Sequence, residues 1–416
     1  MQETVTKPGF SGWRVVGFAI LLGGLTGPGQ TIGVSVFVNH FIEDLQLSRS
    51  AVSTAYLVGT LTASLGLPLV GRFIDARGVR LATTLIGALF GLALVAMSGV
   101  GGLITLGIGF VFIRFLGQGS LSLASGVAVT HWFESRRGLA IGVLATGVSA
   151  LMGLAPVLLN LGIESFGWRA TWIVAGVVIW LTVVPIARFG LIDKPGDVGQ
   201  IPDGQPAKAL RDGAMVQAAT ATRAQALRTV RFWILTGATM SVAMLITGLN
   251  FQQIDILTDA GLTETQAAAT FLPQVLAASL AGIGFGFFTD RLPGRVMVPA
   301  AMALMVLSLV LVGRVTPGVS ALIYVLAMGA TGGAMRSVDQ TLLPRWFGVG
   351  HIGAIRGVAT FAGVAATAAG PITLSLLRDA TGSYGQASAL LASIPLVIGV
   401  VAFGLPDERQ KDLQGG

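Results

Sequence analysis

The feature that most constrains this chain is a succession of long apolar runs joined by short connections. Crossing ~30 Å of hydrocarbon takes roughly 20 residues of helix. Twelve stretches meet that length, near 13–38, 50–71, 80–101, 103–130, 138–160, 170–191, 231–257, 266–288, 295–314, 319–343, 352–377 and 385–405. Only 11% of the residues are charged, against about 25% in a soluble domain, so folding in water would leave apolar surface uncovered. In lipid every backbone N–H and C=O must be satisfied within the segment, which selects helices. Glycines and prolines inside the runs, as in "LLGGLTGPGQ" of the first, are tolerated there because small residues let helices approach closely. The expectation is an all-α polytopic membrane protein with twelve transmembrane helices. No A-x-A-type cleavage site follows the first run, so it is expected to stay as a span.

Lysine and arginine set the orientation. With the N-terminus, the even-to-odd connections and the C-terminus on one side, that side holds twenty cations. The opposite side holds four, Arg49, Arg169, Arg314 and Arg378, and two more, Arg114 and Arg336, fall inside spans. Both termini are therefore expected in the cytoplasm, and a bacterial inner membrane suits the short loops. The +7 net charge is spread between spans rather than gathered in a patch, which argues against nucleic-acid binding. Cysteine is absent and the three histidines are scattered, so no thiol chemistry, metal centre or cofactor is expected.

One connection is long. Residues 192–230, "IDKPGDVGQIPDGQPAKALRDGAMVQAATATRAQALRTV", are rich in Pro, Gly, Ala and charge. They divide the chain into a first six-span half, 1–191, and a second, 231–416. The halves repeat. Shifting by 215 residues lays 44–75 on 259–290 without a gap, with ten identities that include Gly71/Gly286 and Asp75/Asp290. "HWFESRRG" (131–138) likewise echoes "RWFGVGHIGAIRG" (345–357). A parallel repeat of six helices is an expected sign of a secondary transporter, giving two pseudo-symmetric six-helix bundles.

The repeated loop "GRFIDARGVR" (71–80), matched by "GFFTDRLPGR" (286–295), has a readable chemistry. Gly71 is expected to let its helix pack closely on a neighbour. Asp75 at the membrane edge can accept from an arginine or from helix-terminal N–H groups. Gly78 allows a tight turn, and Arg77 and Arg80 stay in water. Gly286, Asp290 and Arg291 repeat the arrangement. Such a cluster serves either as a conformational latch or simply as positive-inside anchors. The pattern Gly71-x-x-x-Asp75-x-x-Gly78-x-Arg80 resembles the signature loop of the major facilitator superfamily. "GWRVV" (12–16), "QTIGV" (30–34), "WFESRRGLAIG" (132–142), "GDVGQIPDG" (196–204) and "RWFGVGHIGAIRG" further resemble the branch of monocarboxylate transporters and oxalate–formate exchangers. The resemblance implies the major facilitator fold, a central cavity lined by the first, fourth, seventh and tenth helices, and rocker-type alternating access.

An ionised side chain at the bilayer centre costs about 2.5–3.5 kcal/mol on insertion scales, so intramembrane charges are the first candidates for function. Arg336 lies about ten residues from Trp346 and its cytoplasmic flank, hence ~15 Å deep. Asp339, three residues on, is within reach of it along the helix. Arg336 can anchor a substrate anion, form a gating or proton-coupling pair with Asp339, or be structural. Arg114, nearer the outer end of the fourth span, is a candidate for binding or for a structural role. Asp255, 24 residues beyond Arg231, is expected to be solvated at the outer interface. Thr26, Gln30 and Thr31 of the first span, Gln118 of the fourth, Thr247, Asn250 and Gln253 of the seventh and Gln274 of the eighth can each complete a site or bond between helices. The breaker "TGPGQT" (26–31) favours Gln30, because a disrupted helix frees backbone groups to face a cavity.

The family pattern is incomplete. Gln30 stands where the related carriers commonly have lysine, Ala278 and Gly282 stand where the eighth helix carries an Asp–Arg pair, and the eleventh span has no lysine. The expected function is secondary active transport of a small organic anion, monocarboxylate-like, with proton symport as the candidate coupling, by a monomer in contact with membrane lipid. The alternative is an efflux carrier for larger amphiphilic or drug-like compounds, although the fifth span lacks the usual glycine–proline series. An enzyme would show clustered His, Glu or Asp within the spans. ATP-driven transport would show a G-x-x-x-x-G-K-[ST] loop, which the sequence lacks.

Overall fold

The computed structural model describes residues 10–133, 136–202, 221–289, 291–348 and 352–405. Among the described residues helix dominates, in twelve successive stretches whose connections are short except the one at 191–229. We number their principal helices α1 (Gly12–Gly24), α2 (Arg49–Arg77), α3 (Val79–Met97), α4 (Leu103–Thr130), α5 (Arg137–Phe166), α6 (Trp168–Gly190), α7 (Val230–Asp259), α8 (Glu264–Thr289), α9 (Gly294–Val312), α10 (Val319–Phe347), α11 (Ile352–Thr381) and α12 (Tyr384–Phe403). Ten of them are long and apolar enough to cross a membrane. The other two are α1, which breaks after Gly24, and the glycine- and alanine-rich α11. Large apolar side chains lie open on the spans, among them Leu65, Ile104, Leu181 and Ile283, each more than 70% exposed. That surface needs lipid as its solvent.

The chain forms two compact units. One comprises Met1–Gly33 with Thr62–Ala214, and the other Val34–Leu61 with Met215–Gly416. Within the first, α1 packs on α5 and α3 on α6; within the second, α7 packs on α11 and α9 on α12. Each pairing recurs six helices later, which is the internal repeat in three dimensions. The most extensive helix pair of the second unit is α8 with α10. A side chain at Gly333 would collide with the Ala278 carbonyl, and one at Gly329 with the Gln274 carbonyl. Ser337 then donates to the Gly282 carbonyl at 2.6 Å. Small residues every turn thus bring the two backbones into contact, the usual basis of association where lipid offers no hydrophobic drive.

The first span is not one helix. After α1 the chain makes a single tight turn at Gly27–Gly29 and short helices at Thr31–Ser35 and Val38–Leu45. Pro28 and three glycines within 27–33 account for the break. It begins just after Gly24, immediately ahead of the "TGPGQT" breaker that leads one to expect it.

Candidate functional site

In the second unit the polar side chains of three helices converge. Thr239, Ile246, Asn250 and Gln253 follow spacings of 7, 4 and 3 and so share one face of α7. Thr239 donates to Asp339 of α10 (3.3 Å), and Ile246 lies against Gly332, so that face meets α10 in antiparallel register. On α10, Gly332 and Asp339 turn toward α7 while Gly329, Gly333 and Ser337 turn toward α8. At about 100° per residue, Arg336 falls between these two stripes, facing the seam where α7 and α8 meet. It is exposed and makes no hydrogen bond or ion pair among the described residues. Higher along the seam two side-chain bonds tie α7 to α8: Gln274 donates to Asn250 (2.8 Å) and Gln253 to Thr270 (2.9 Å).

Arg336 and Asp339 do not pair as their spacing suggests. Asp339 is held by Thr239, and the cation acting on it is Arg356 of α11, whose guanidinium also reaches the Gln340 carbonyl (3.5 Å). Helical side chains lean toward the N-terminus of their own helix, so the long Arg336 chain leans back toward Gly332 and away from Asp339.

Asp255 is also not where the sequence suggests. It is buried, at 9% exposure, and forms an ion pair with Arg49 at 2.6 Å. Tyr384 donates to its other oxygen, also at 2.6 Å. Arg49 in addition donates to Gln252 and Asn39, both at 3.0 Å. Gln252 continues the network by donating to Ser375 (2.7 Å) and Ser53 (3.4 Å). Arg49 and Ser53 belong to the Val34–Leu61 segment of this unit, which the network fastens to α7, α11 and the start of α12. Sequence reasoning missed this cluster, yet a clue was present. A carboxylate within an apolar span needs a cation, and only four cations lie at the ends of the spans on the side expected for Asp255 from the sequence.

In the first unit, Arg114 is 3% exposed and donates to the Gly29 carbonyl at 3.2 Å. It thus satisfies backbone freed by the break in the first span. Gln30 lies at the same break, donating to Thr26 (3.1 Å), whose hydroxyl donates to the Gly23 carbonyl (2.6 Å). Arg114 opens a π-helical stretch, Arg114–Leu121, in which Gln118 is half-buried. Widened turns of this kind often mark functional positions.

The repeated loop differs from expectation in two respects. A side chain at Gly71 would meet nothing within 4 Å, and one at Gly286 only Ser337 at 3.9 Å, so neither glycine is required for close packing. Asp75 is exposed, without a hydrogen bond among the described residues. The carboxylate at the start of α3 is instead Asp193, which accepts from the Arg80 backbone N–H at 2.7 Å. The chain leaving α6 brings it there, and the Arg80 side chain reaches back to the Arg188 carbonyl (2.7 Å). Gly78 is needed twice over: its φ is +82°, and a Cβ would lie 2.6 Å from the Asp193 carboxylate. In the second copy, Arg291 stacks 3.5 Å over the Phe287 ring and donates to the Phe287 carbonyl (2.8 Å). Asp290 lies outside the described residues.

Comparison with known proteins agrees with this architecture. Human monocarboxylate transporter 6 is 33% identical over 168 residues, which is 38% of this chain and 32% of that protein. Human monocarboxylate transporter 11 is 25% identical across 95% of this chain and 83% of its own length. Bovine monocarboxylate transporter 13 is 25% identical across 97% and 93%. Among solved structures, a bacterial homologue of the human lysosomal transporter Spinster, in an inward-facing and unoccupied conformation, superposes with a TM-score of 0.72. It covers 95% of this chain and 97% of that one at 15% identity, a likeness of fold. The Major Facilitator Superfamily model matches residues 19–258. With that match over more than half its length, twelve helical stretches and a six-helix repeat, the chain belongs to the major facilitator superfamily.

Proposed function

We propose that this protein is a secondary active transporter of a small organic anion of the monocarboxylate type, working by alternating access, with its anion held at Arg336. The observation that carries the reading is Arg336 itself, exposed and without a partner among the described residues, facing the α7–α8 seam from the middle of a span. A cation left open at that depth is costly, and a bound carboxylate offsets the cost with bidentate charge-assisted hydrogen bonds. The monocarboxylate transporters to which the chain is similar support the anion class. Asp339, held by Thr239 and in the field of Arg356, is the proposed carrier of a coupled proton. The loops at Gly71–Arg80 and Gly286–Arg291 are proposed to bias one conformation over the other. The lysine and arginine distribution supports cytoplasmic termini in a bacterial inner membrane. One observation favours efflux of larger amphiphiles as a second reading. Ala278 and Gly282, where the resembled carriers place an Asp–Arg pair, are packed against α10, so that face of α8 has no charged anchor.

Binding measured by thermal shift on the purified protein separates the two. Carboxylates are expected to stabilise it, by roughly 2.7 kcal/mol at about 100 times the dissociation constant, and Arg336→Gln is expected to abolish the effect. Stabilisation by cationic amphiphiles alone, or an unchanged response in Arg336→Gln, overturns the anion reading.

A further inference from the structure

The amides above Arg336 carry polar atoms that the protein leaves unused. Gln253 is 0% and Gln274 7% exposed, and the side-chain oxygen of each is buried without a hydrogen-bond partner among the described residues. A buried acceptor left unmade costs about 1–3 kcal/mol, and two occur together here. The orientation of Gln253 is fixed: Thr270 gives its only hydroxyl proton to the Ala267 carbonyl (2.6 Å) and accepts from Gln253 (2.9 Å). The oxygen of Gln253 is therefore the free end. Whichever way the Gln274–Asn250 pair is turned, one buried polar atom of Gln274 remains over. Asn250 is half-buried on the same face of α7, so the cluster presents both accepting and donating amide atoms. Among the described residues no carboxylate bonds to these amides, which disfavours an ammonium; a hydroxyl or a carboxamide, able both to donate and to accept, matches.

The height of the cluster follows from α10. Gly329 abuts the Gln274 carbonyl and lies seven residues, about 10 Å, from Arg336 along the helix axis. Arg336 leans back toward that level, while Gln274, on a helix parallel to α10, leans away from it by the same rule, which leaves on the order of 10 Å between guanidinium and amides. A 2-hydroxy acid, with hydroxyl and carboxylate on adjacent carbons, is too short to touch both.

We infer that Asn250, Gln253 and Gln274 form a second recognition subsite, and that the substrates are elongated carboxylates bearing a hydroxyl or carboxamide about four to eight atoms from the carboxylate. This rests on the reading of Arg336 as the anion anchor. The subsite selects among anions by the usual asymmetry of buried polar groups: a substrate without the distal group leaves the amides unpaired and is rejected.

The test uses the full-length protein in detergent, with apparent dissociation constants taken from the concentration dependence of thermal stability. The probes are 4-hydroxybutanoate, 6-hydroxyhexanoate and 8-hydroxyoctanoate, each beside its parent acid. The expected result is binding of the 6- or 8-hydroxy acid at least tenfold tighter than its parent, with little preference at the shortest length. Gln274→Met and, independently, Asn250→Leu bring the ratio toward one while carboxylate binding persists, and a monodisperse gel-filtration profile certifies each fold. Equal affinity of hydroxy and parent acids at every length means that the amides hold water and overturns the subsite. So does a preference that survives both substitutions, or the absence of binding by any of the acids. If Arg336→Gln leaves carboxylate affinity unchanged while Gln274→Met still erases the hydroxyl preference, the anchor fails and the subsite stands.

Discussion

The buried ion pair of Arg49 and Asp255 gives an asymmetric prediction. Neutralising Asp255 as Asn leaves Arg49 with the oxygens of Gln252 and Asn39, each at 3.0 Å. Replacing Arg49 with Gln leaves the Asp255 carboxylate, 12% exposed, with only the Tyr384 hydroxyl. Breaking a buried pair by removing one partner costs about 3–5 kcal/mol, so Arg49→Gln is expected in that range and Asp255→Asn well below it. The chain contains no cysteine, which provides a direct assay. Ser53, at 0% exposure inside the same network, is changed to Cys, and its modification by a membrane-impermeant maleimide is timed. Where reaction requires local opening, its rate follows the open population, and 1.4 kcal/mol is one decade. Arg49→Gln in this background is expected to label roughly 10² to a few times 10³ faster, and Asp255→Asn about tenfold or less. The double variant Arg49→Leu/Asp255→Leu, with no stranded charge, is expected to label more slowly than Arg49→Gln. Equal rates for the two single variants, or a rate for Arg49→Gln within threefold of the parent, would refute the pair as the fastening of Val34–Leu61 to its unit.

Two further outcomes follow from the helix contacts. Asp193→Ala removes the acceptor at the N-terminus of α3 and is expected to lower stability by about 1–2 kcal/mol, whereas the exposed Asp75→Asn leaves stability unchanged and slows transport if the loop is a latch; thermal melts and liposome uptake on both variants check this. Gly333→Leu drives a side chain into the Ala278 carbonyl and is expected to abolish a monodisperse product, while Gly71→Leu, which enters open space, yields folded protein; gel filtration after mild-detergent extraction distinguishes them.

The spans were legible because lipid imposes one rule on every residue of a segment: twenty apolar positions in a row permit little besides a membrane helix. Spacing along a span was legible for the same reason, since rise per residue converts sequence numbers into distance along the helix axis, and Arg336 and Trp346 share one unbroken helix. What a side chain faces was not. Gly71 and Gly329 look alike in sequence, but only the second meets another backbone. Arg49 and Asp255 are 206 positions apart, and no local pattern records that they meet. Asp75 carries the motif, yet Asp193, delivered by the end of another helix, occupies the place the motif suggests. In each case the missing quantity is rotation about a helix axis relative to neighbours, which apolar runs of low amphipathicity barely encode. Polar residues recover part of it. Thr239, Asn250 and Gln253 return at helical spacing along one face of α7, and a polar stripe on a buried span must find partners or a ligand. Their partners are Asp339 of α10 and Gln274 and Thr270 of α8; the buried oxygens left over are what a bound substrate would have to satisfy.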